Sequence, residues 1–262
     1  MTPDSFSDGL ELASKTSRQF SIDLDKALFR AQSLVEDGAC IVDVGGESTR
    51  PGSSPVSIDE ELHRVIPVIE AIKKNLDVCI SVDTSSPVVM FEAISAGAEL
   101  INDVRAFLNH GALELVAKTE VALCLMHMQG QPINMQQSYK YADLLDDVLN
   151  FLLSRIKACL EAGVSEDRIV IDPGFGFGKS LKHNYKLLKH LSFFEDLNLP
   201  VLVGISRKTM IGDVINRPTK ARVYGSVAAT VLALNNGASI IRTHDVAATM
   251  DAIRVHSTYQ RA

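Results

Sequence analysis

Short apolar runs alternate with longer amphipathic stretches along the chain. Seven runs are continuous enough to read as strands buried on both faces: Ala39–Gly45, Val78–Asp83, Leu100–Val104, Val121–His127, Arg168–Asp172, Val201–Gly204 and Ser239–Thr243. The stretches between them predict helices over Ser57–Lys74, Ser86–Ala96, Gly111–Lys118, Tyr141–Ala162, Leu181–Leu191, Ala221–Asn235 and Val246–His256. Ser57-Ile-Asp-Glu60 has the spacing of a capping box, in which the Ser57 side chain accepts from the Glu60 N–H. The polar segment Gln129–Ser138 reads as a long loop, and the chain opens on a loop rather than a strand.

Strands that each lead into a helix, with no hairpin signal between them, imply a parallel sheet. That alternation fits a barrel or a doubly wound sheet. The polar residues separate the two. Asp43, Asp83-Thr84, Asn102-Asp103, His127, Asp172-Pro173, Ser206-Arg207-Lys208 and Arg242-Thr243-His244 all fall at strand C-termini. A barrel gathers such ends around one mouth, whereas an open sheet concentrates them at a switch point. The expected architecture is α/β, a (β/α)8 TIM barrel whose first strand is missing from the chain. No linker divides it, so residues 1–262 read as one domain.

Composition narrows the functional classes. A length of 262 residues suits such a barrel, which needs about 250. Lys plus Arg number 26 against 32 Asp plus Glu, a net charge of -6 without a basic block, which argues against nucleic acid as a partner. Val121–Met126 and Val227–Leu234 are too short to cross a bilayer, so no membrane partner is expected. The polar start is no signal peptide. Cys40, Cys79, Cys124 and Cys159 have no metal-site spacing and read as buried, reduced thiols, which points to a cytoplasmic protein.

Pro173-Gly-Phe-Gly-Phe-Gly-Lys-Ser180 invites comparison with phosphate-binding loops and fails it. A P-loop needs Gly at Pro173, and GxGxxG from Gly174 needs Gly at Lys179. A glycine-rich loop after a strand remains, open to close approach by a ligand or to a plain turn. Asp83, Asn102, Asp172 and Lys208 at one mouth form a polar set suited to a heterocycle with amide and guanidine-like edges. Hydrogen bonds inside the protein would use the same groups. Arg242 and His244, two apart on a strand, face the same way and read as a phosphate clamp or a surface ion pair. His63 and His127 lack such company and read as structural. No Ser-His-Asp or Cys-His arrangement is legible.

The ordered motifs Thr2-Pro-Asp-Ser-Phe-Ser-Asp-Gly9, Asp43-Val-Gly-Gly-Glu-Ser-Thr-Arg-Pro-Gly52, Ser81-Val-Asp-Thr84, Ile101-Asn-Asp103, Asp172-Pro-Gly-Phe-Gly-Phe-Gly-Lys179, Ser206-Arg-Lys208 and Arg242-Thr-His-Asp245 resemble those of the dihydropteroate synthases, over essentially the whole chain. The resemblance implies a folate-synthesis step: 4-aminobenzoate is joined to 6-hydroxymethyl-7,8-dihydropterin diphosphate, releasing pyrophosphate, with Mg2+. It implies that Asp83, Asn102, Asp172 and Lys208 hold the pterin, with Met126, Phe177 and Gly204 beside it. Arg242 and His244, with Arg50, would take the diphosphate. Ser206, Arg207, Thr49 and Pro51 would lie near aminobenzoate, and Arg50 and Asp8 would complete the site from loops. Catalysis would rest on Lys208, Arg242, His244, Asp8 and Arg50, through positioning and stabilisation of the leaving charge. Sulfonamide analogues of aminobenzoate would bind as it does.

The chain departs from the family pattern at its start. The family carries an Asn two residues before the Thr of Thr-Pro-Asp, where it serves the Mg2+–diphosphate site, and here that position precedes Met1. An upstream strand ending in Asn is therefore expected. Leu10 stands where a second glycine is common. An inactive or regulatory pterin-binding relative is the alternative. A pterin-binding methyltransferase on the same barrel is a third, needing neither a diphosphate clamp nor the Ser-Thr-Arg-Pro loop. The resemblance also implies a homodimer, and the small residues Gly225–Ala229 would allow close helix packing between copies.

Overall fold

The structure, a computed structural model, describes residues 23–47, 56–130, 135 and 139–262. Among them are seven strands: β1 Ile41–Gly45, β2 Cys79–Asp83, β3 Leu100–Asp103, β4 Ala122–Met126, β5 Ile169–Asp172, β6 Leu202–Val203 and β7 Ile240–Ile241. Nine α-helices accompany them: α1 Leu24–Glu36, α2 Ile58–Asn75, α3 Pro87–Ala96, α4 Ala112–Val116, α5 Leu144–Glu161, α6 Leu181–Lys189, α7 Thr209–Ile215, α8 Val223–Asn235 and α9 Val246–Arg261. Every strand pair is parallel. The ladder runs β1-β2-β3-β4-β5, and β6 pairs with β7. A single bridge, Ile171 to Val201, carries the sheet from β5 to the β6–β7 pair.

Period-two alternation divides each strand into two faces. Val42, Val44, Ile80, Val82, Ile101, Leu123, Leu125, Ile169, Ile171 and Val203 join the large core beneath the helices. The other phase forms a separate, smaller cluster of Leu100, Cys124, Val170 and Leu202, with Ala122 and Ile240 against it. Continuing that phase toward the C-terminal ends gives Asp43, Asp83, Asn102, Met126, Asp172, Gly204 and Arg242. One strand phase thus collects the polar residues that the sequence shows scattered over some 200 positions.

The sheet curls until its ends face each other. Arg242, just past β7, reaches Asp43 on β1 and Asp83 on β2 at 2.5 and 2.8 Å. Arg30 on α1 donates to the His244 carbonyl at 3.3 Å. Among the described residues no ladder joins β7 to β1, so the barrel is not closed there.

The seven predicted strands are present with trimmed ends, and Ser57 caps α2 by accepting from the Glu60 N–H at 3.2 Å. Two expectations need correction. The segment before β1, read as loop, contains α1, which Asp23 caps by accepting from the Lys26 N–H at 3.1 Å. The four cysteines are free, but only Cys124 and Cys159 are buried; Cys40, just before β1, is exposed, and Cys79, the first residue of β2, is half-buried. Gly225 also approaches its own chain closely: a Cβ there would lie 2.6 Å from Ile211 Cγ2 on α7.

Candidate active site

The polar mouth has two halves. In one, Asp172 ends β5 and accepts from the Gly174 N–H at 2.7 Å. Burial pushes its carboxyl above the usual range, against the pull of Lys208. Lys208 donates to the Phe175 carbonyl at 2.6 Å, and its ammonium lies 4.7 Å from the centre of the Phe177 ring. Burial draws Lys208 down to about 8, with Asp172 opposing the change. Phe177 belongs to an apolar wall with Val104, Met126 and Met135. A flat ligand resting on that wall would meet Asp172 and Lys208 at its edge.

In the other half, Arg242 lies between Asp43 and Asp83, and 38% of its side chain is open to solvent. Ser81 donates to the second oxygen of Asp43 at 2.6 Å. Burial opposes the Asp43 charge, yet Arg242 and Ser81 together hold the carboxyl below its ordinary range. For Asp83 burial wins, and its carboxyl is pushed up to about 7 despite Arg242. Asp43 and Asp83 keep Arg242 firmly charged. Asn102 lies on the neighbouring strand, 5% exposed, and its buried Oδ1 has no hydrogen-bond partner among the described residues. A buried acceptor left unmatched costs about 1–3 kcal/mol, so this atom marks where a donor is expected.

The residues beyond β6 and β7 separate. His244 Nδ1 lies 3.1 Å from Ser206 Oγ, which also accepts from the His244 N–H at 3.2 Å. Arg207 turns away from the polar pair: its guanidinium grips the Asp245 carboxylate, with Nε at 2.8 Å from Oδ2. Asp103 is in the opposite strand phase from Asn102 and accepts from the N–H groups of Arg105 and Phe107, a turn role. Asp8, Thr49, Arg50 and Pro51 lie outside the described residues.

Sequence reasoning overlooked two groups here. Asp43 appears in a motif but carried no assigned role, although it shares Arg242. His127, read as structural, is buried with its Nδ1 at 2.9 Å from Lys179 Nζ. Burial, then Lys179, keep the imidazole neutral, and burial draws Lys179 to about 7. No spacing rule links residues 52 positions apart.

Among the described residues no group of three His, Cys, Asp or Glu could hold a metal ion, and no helix is long and apolar enough to cross a membrane. The family model of pterin binding enzymes matches residues 1–244. The dihydropteroate synthase of Haemophilus influenzae is 50% identical over 254 residues, covering 97% of this chain and 89% of that protein. The Yersinia pestis dihydropteroate synthase, solved with a sulfonamide drug complex, superposes with a TM-score of 0.92 at 50% identity, covering 100% of this chain and 92% of that one. The Xanthomonas albilineans enzyme, solved with 4-aminobenzoic acid, gives a TM-score of 0.89 at 45% identity, covering 100% and 90%.

Proposed function

This chain belongs to the dihydropteroate synthase family of pterin-binding enzymes, and we propose how its own residues divide the condensation of a pterin diphosphate with 4-aminobenzoate. The aromatic amine nitrogen bonds to the pterin methylene carbon, the carbon–oxygen bond to the diphosphate breaks, and pyrophosphate departs as the amine loses a proton. The amine is neutral at pH 7 and needs no strong base. The demanding change is the charge that grows on the leaving group.

The observation that carries the reading is the unmatched Oδ1 of Asn102 beside two carboxyls at one barrel mouth. An acceptor-rich edge next to an apolar wall suits a ring with adjacent N–H donors, as a pterin has in its 2-amino group and N3–H. Asp172 would accept that donor pair, Asn102 and Asp83 the further donors, and Lys208 would donate to a ring acceptor. Met126 and Phe177 support packing of the ring face, and Gly204 leaves room beside it. Arg242 and His244 would receive the diphosphate, with Arg50 closing from the other side. Thr49, Pro51 and Ser206 would border aminobenzoate, with Asp8 on the closing loop. Arg207 would shape that border through its pair with Asp245 rather than by direct contact. Asp8, Thr49, Arg50 and Pro51 rest on the motifs alone.

The curved parallel sheet supports a (β/α)8 barrel in one domain over residues 1–262, with an eighth strand's place between β7 and β1. Magnesium is a family-level expectation. Mg2+ is usually held by one or two carboxylates plus substrate phosphates, but Asp43 and Asp83 already face Arg242. The described residues do not fit a protein-built Mg2+ site, and the chain's own cations answer the leaving charge. Free thiols support a reducing, cytoplasmic setting. Exposed Tyr224, Val255 and Tyr259 on α8 and α9 support a homodimer.

The test is pyrophosphate release that requires both substrates, followed by calorimetry with the pterin diphosphate. Asp172→Asn exchanges an acceptor for a donor and is expected to cost about 1.5–3 kcal/mol in pterin binding. Unchanged affinity with a normal fold would remove Asp172 from the pterin site. Pterin binding without any condensation would favour a regulatory relative.

A further inference from the structure

Lys179 is 2% exposed and lies inside the glycine loop rather than at the mouth. An ammonium has three N–H donors, and three acceptors surround it: His127 Nδ1 at 2.9 Å, the Gly174 carbonyl at 2.9 Å and the Phe177 carbonyl at 3.2 Å. The His127 carbonyl lies further off, at 3.4 Å. Carbonyl oxygens only accept, so lysine donates to both, and in the tautomer with its proton on Nε2 the neutral imidazole offers its Nδ1 lone pair as the third partner.

The same loop presents its other side to the polar mouth. The Gly174 N–H donates to Asp172, the Phe175 carbonyl accepts from Lys208, and the Phe177 ring lies under the Lys208 ammonium. The loop also presses against the chain after β4. Gly174 has φ +76°, and a Cβ there would fall 1.8 Å from the His127 carbonyl oxygen. His127 in turn is held edge-on to Phe151 of α5, with ring centroids 5.1 Å apart. A continuous path therefore runs from α5 through His127 and Lys179 to both ends of the Gly174–Phe177 turn, and from there to Asp172 and Lys208.

We propose that Lys179 and His127 form a buried strut that positions the Gly174–Phe177 turn, and through it Asp172, Phe177 and Lys208, for the pterin. This rests on the pterin reading of the mouth. Lys179 is a positioning residue: it acts through the loop and touches no reacting atom.

Three variants test the strut. Lys179→Met keeps the length and removes the donors. His127→Leu removes the acceptor, while His127→Asn restores an acceptor near the place of Nδ1. The readouts are calorimetric affinity for the pterin diphosphate, KM for 4-aminobenzoate, and far-ultraviolet dichroism. Lys179→Met and His127→Leu are each expected to weaken pterin binding about tenfold, the equivalent of one lost hydrogen bond to a charged group. Aminobenzoate KM and the dichroism should be unchanged, and His127→Asn should recover most of the affinity. The proposal is overturned if pterin affinity survives Lys179→Met. It is equally overturned if that variant lowers melting temperature and active fraction while leaving pterin affinity intact. Should Lys179→Met be recovered unfolded, the contrast between His127→Leu and His127→Asn decides, and equal affinities in that pair would overturn the strut. Wild-type protein that binds pterin without condensing it would count against the synthase reading alone, because the binding series needs no turnover.

Discussion

Asp43 and Asp83 share one guanidinium and are both buried; the Ser81 hydroxyl and the closer Arg242 contact let Asp43 ionise more readily. Asp83 titrates near 7 in the folded chain, against an ordinary value of 3.8. Between those values the folded protein holds a proton that the unfolded chain has released, so this group's contribution to stability falls as pH rises. Asp83→Asn cannot ionise. It should melt above the wild type at about pH 8, and the difference should narrow as pH falls toward 3.8. Thermal melts across that range check it. A variant less stable than wild type at about pH 8 would mean that the Asp83–Arg242 pair outweighs desolvation. The side chains of this mouth were legible in the sequence as polar groups ending apolar runs, but which of them serve a turn, as Asp103 does, was not. Asp43 was not singled out because its role depends on Arg242 from the opposite edge of the sheet. His127 and Lys179 were missed for the same reason: each looks ordinary until the fold brings them together. The Arg207–Asp245 pair shows the converse, a motif residue whose guanidinium is taken up by a nearby carboxylate.

The strands were the most legible elements. Burial on both faces leaves uninterrupted apolar runs, and those runs need no partner to be recognised. Helices were legible where the buried stripe contains large residues, as with Val65, Ile69 and Ile72 on α2. α1 was lost because its buried positions are only Ala27 and Ala31 while Phe29 is exposed, which blurs the stripe. α7 was not read from the sequence; it starts directly after Lys208, its N-cap residue. That junction makes the α7–α8 contact relevant to the site. Gly225→Ala would gain about 1 kcal/mol of helix propensity. It would also set a Cβ 2.6 Å from Ile211 Cγ2 and 3.1 Å from Ile215 Cδ1. Overpacking of this kind costs about 1–3 kcal/mol, so the clash should win and the variant should melt a few degrees lower. A variant as stable as the wild type would show that α7 can move away from α8 without loss.

For the molecule as a whole, the seam between β7 and β1 is the place where the ladder supplies no hydrogen bonds among the described residues. Side chains span it instead. Arg242 ties the end of β7 to Asp43 and Asp83, and Arg30 ties α1 to the chain after β7. The arginine proposed to receive the diphosphate is thus also the charge that holds the two edges of the sheet together before any ligand arrives. Removing one partner of a buried charge pair costs about 3–5 kcal/mol, because the remaining carboxylate is left uncompensated. Partial exposure of Arg242 places the expected cost below that range. Arg242→Gln should lower the melting temperature at neutral pH. Asp43 titrates below its ordinary range, so its stabilising charge is present above that range and is lost as pH falls through the lowered value. The deficit of the variant should therefore shrink in acid. Hydrogen exchange adds the location. Amides of β1 and β7 should exchange faster in Arg242→Gln, while those of β3 and β4, paired on both sides, should keep their protection. Faster exchange spread evenly over all the strands would instead make Arg242 a support of global stability and leave the seam without a specific tie.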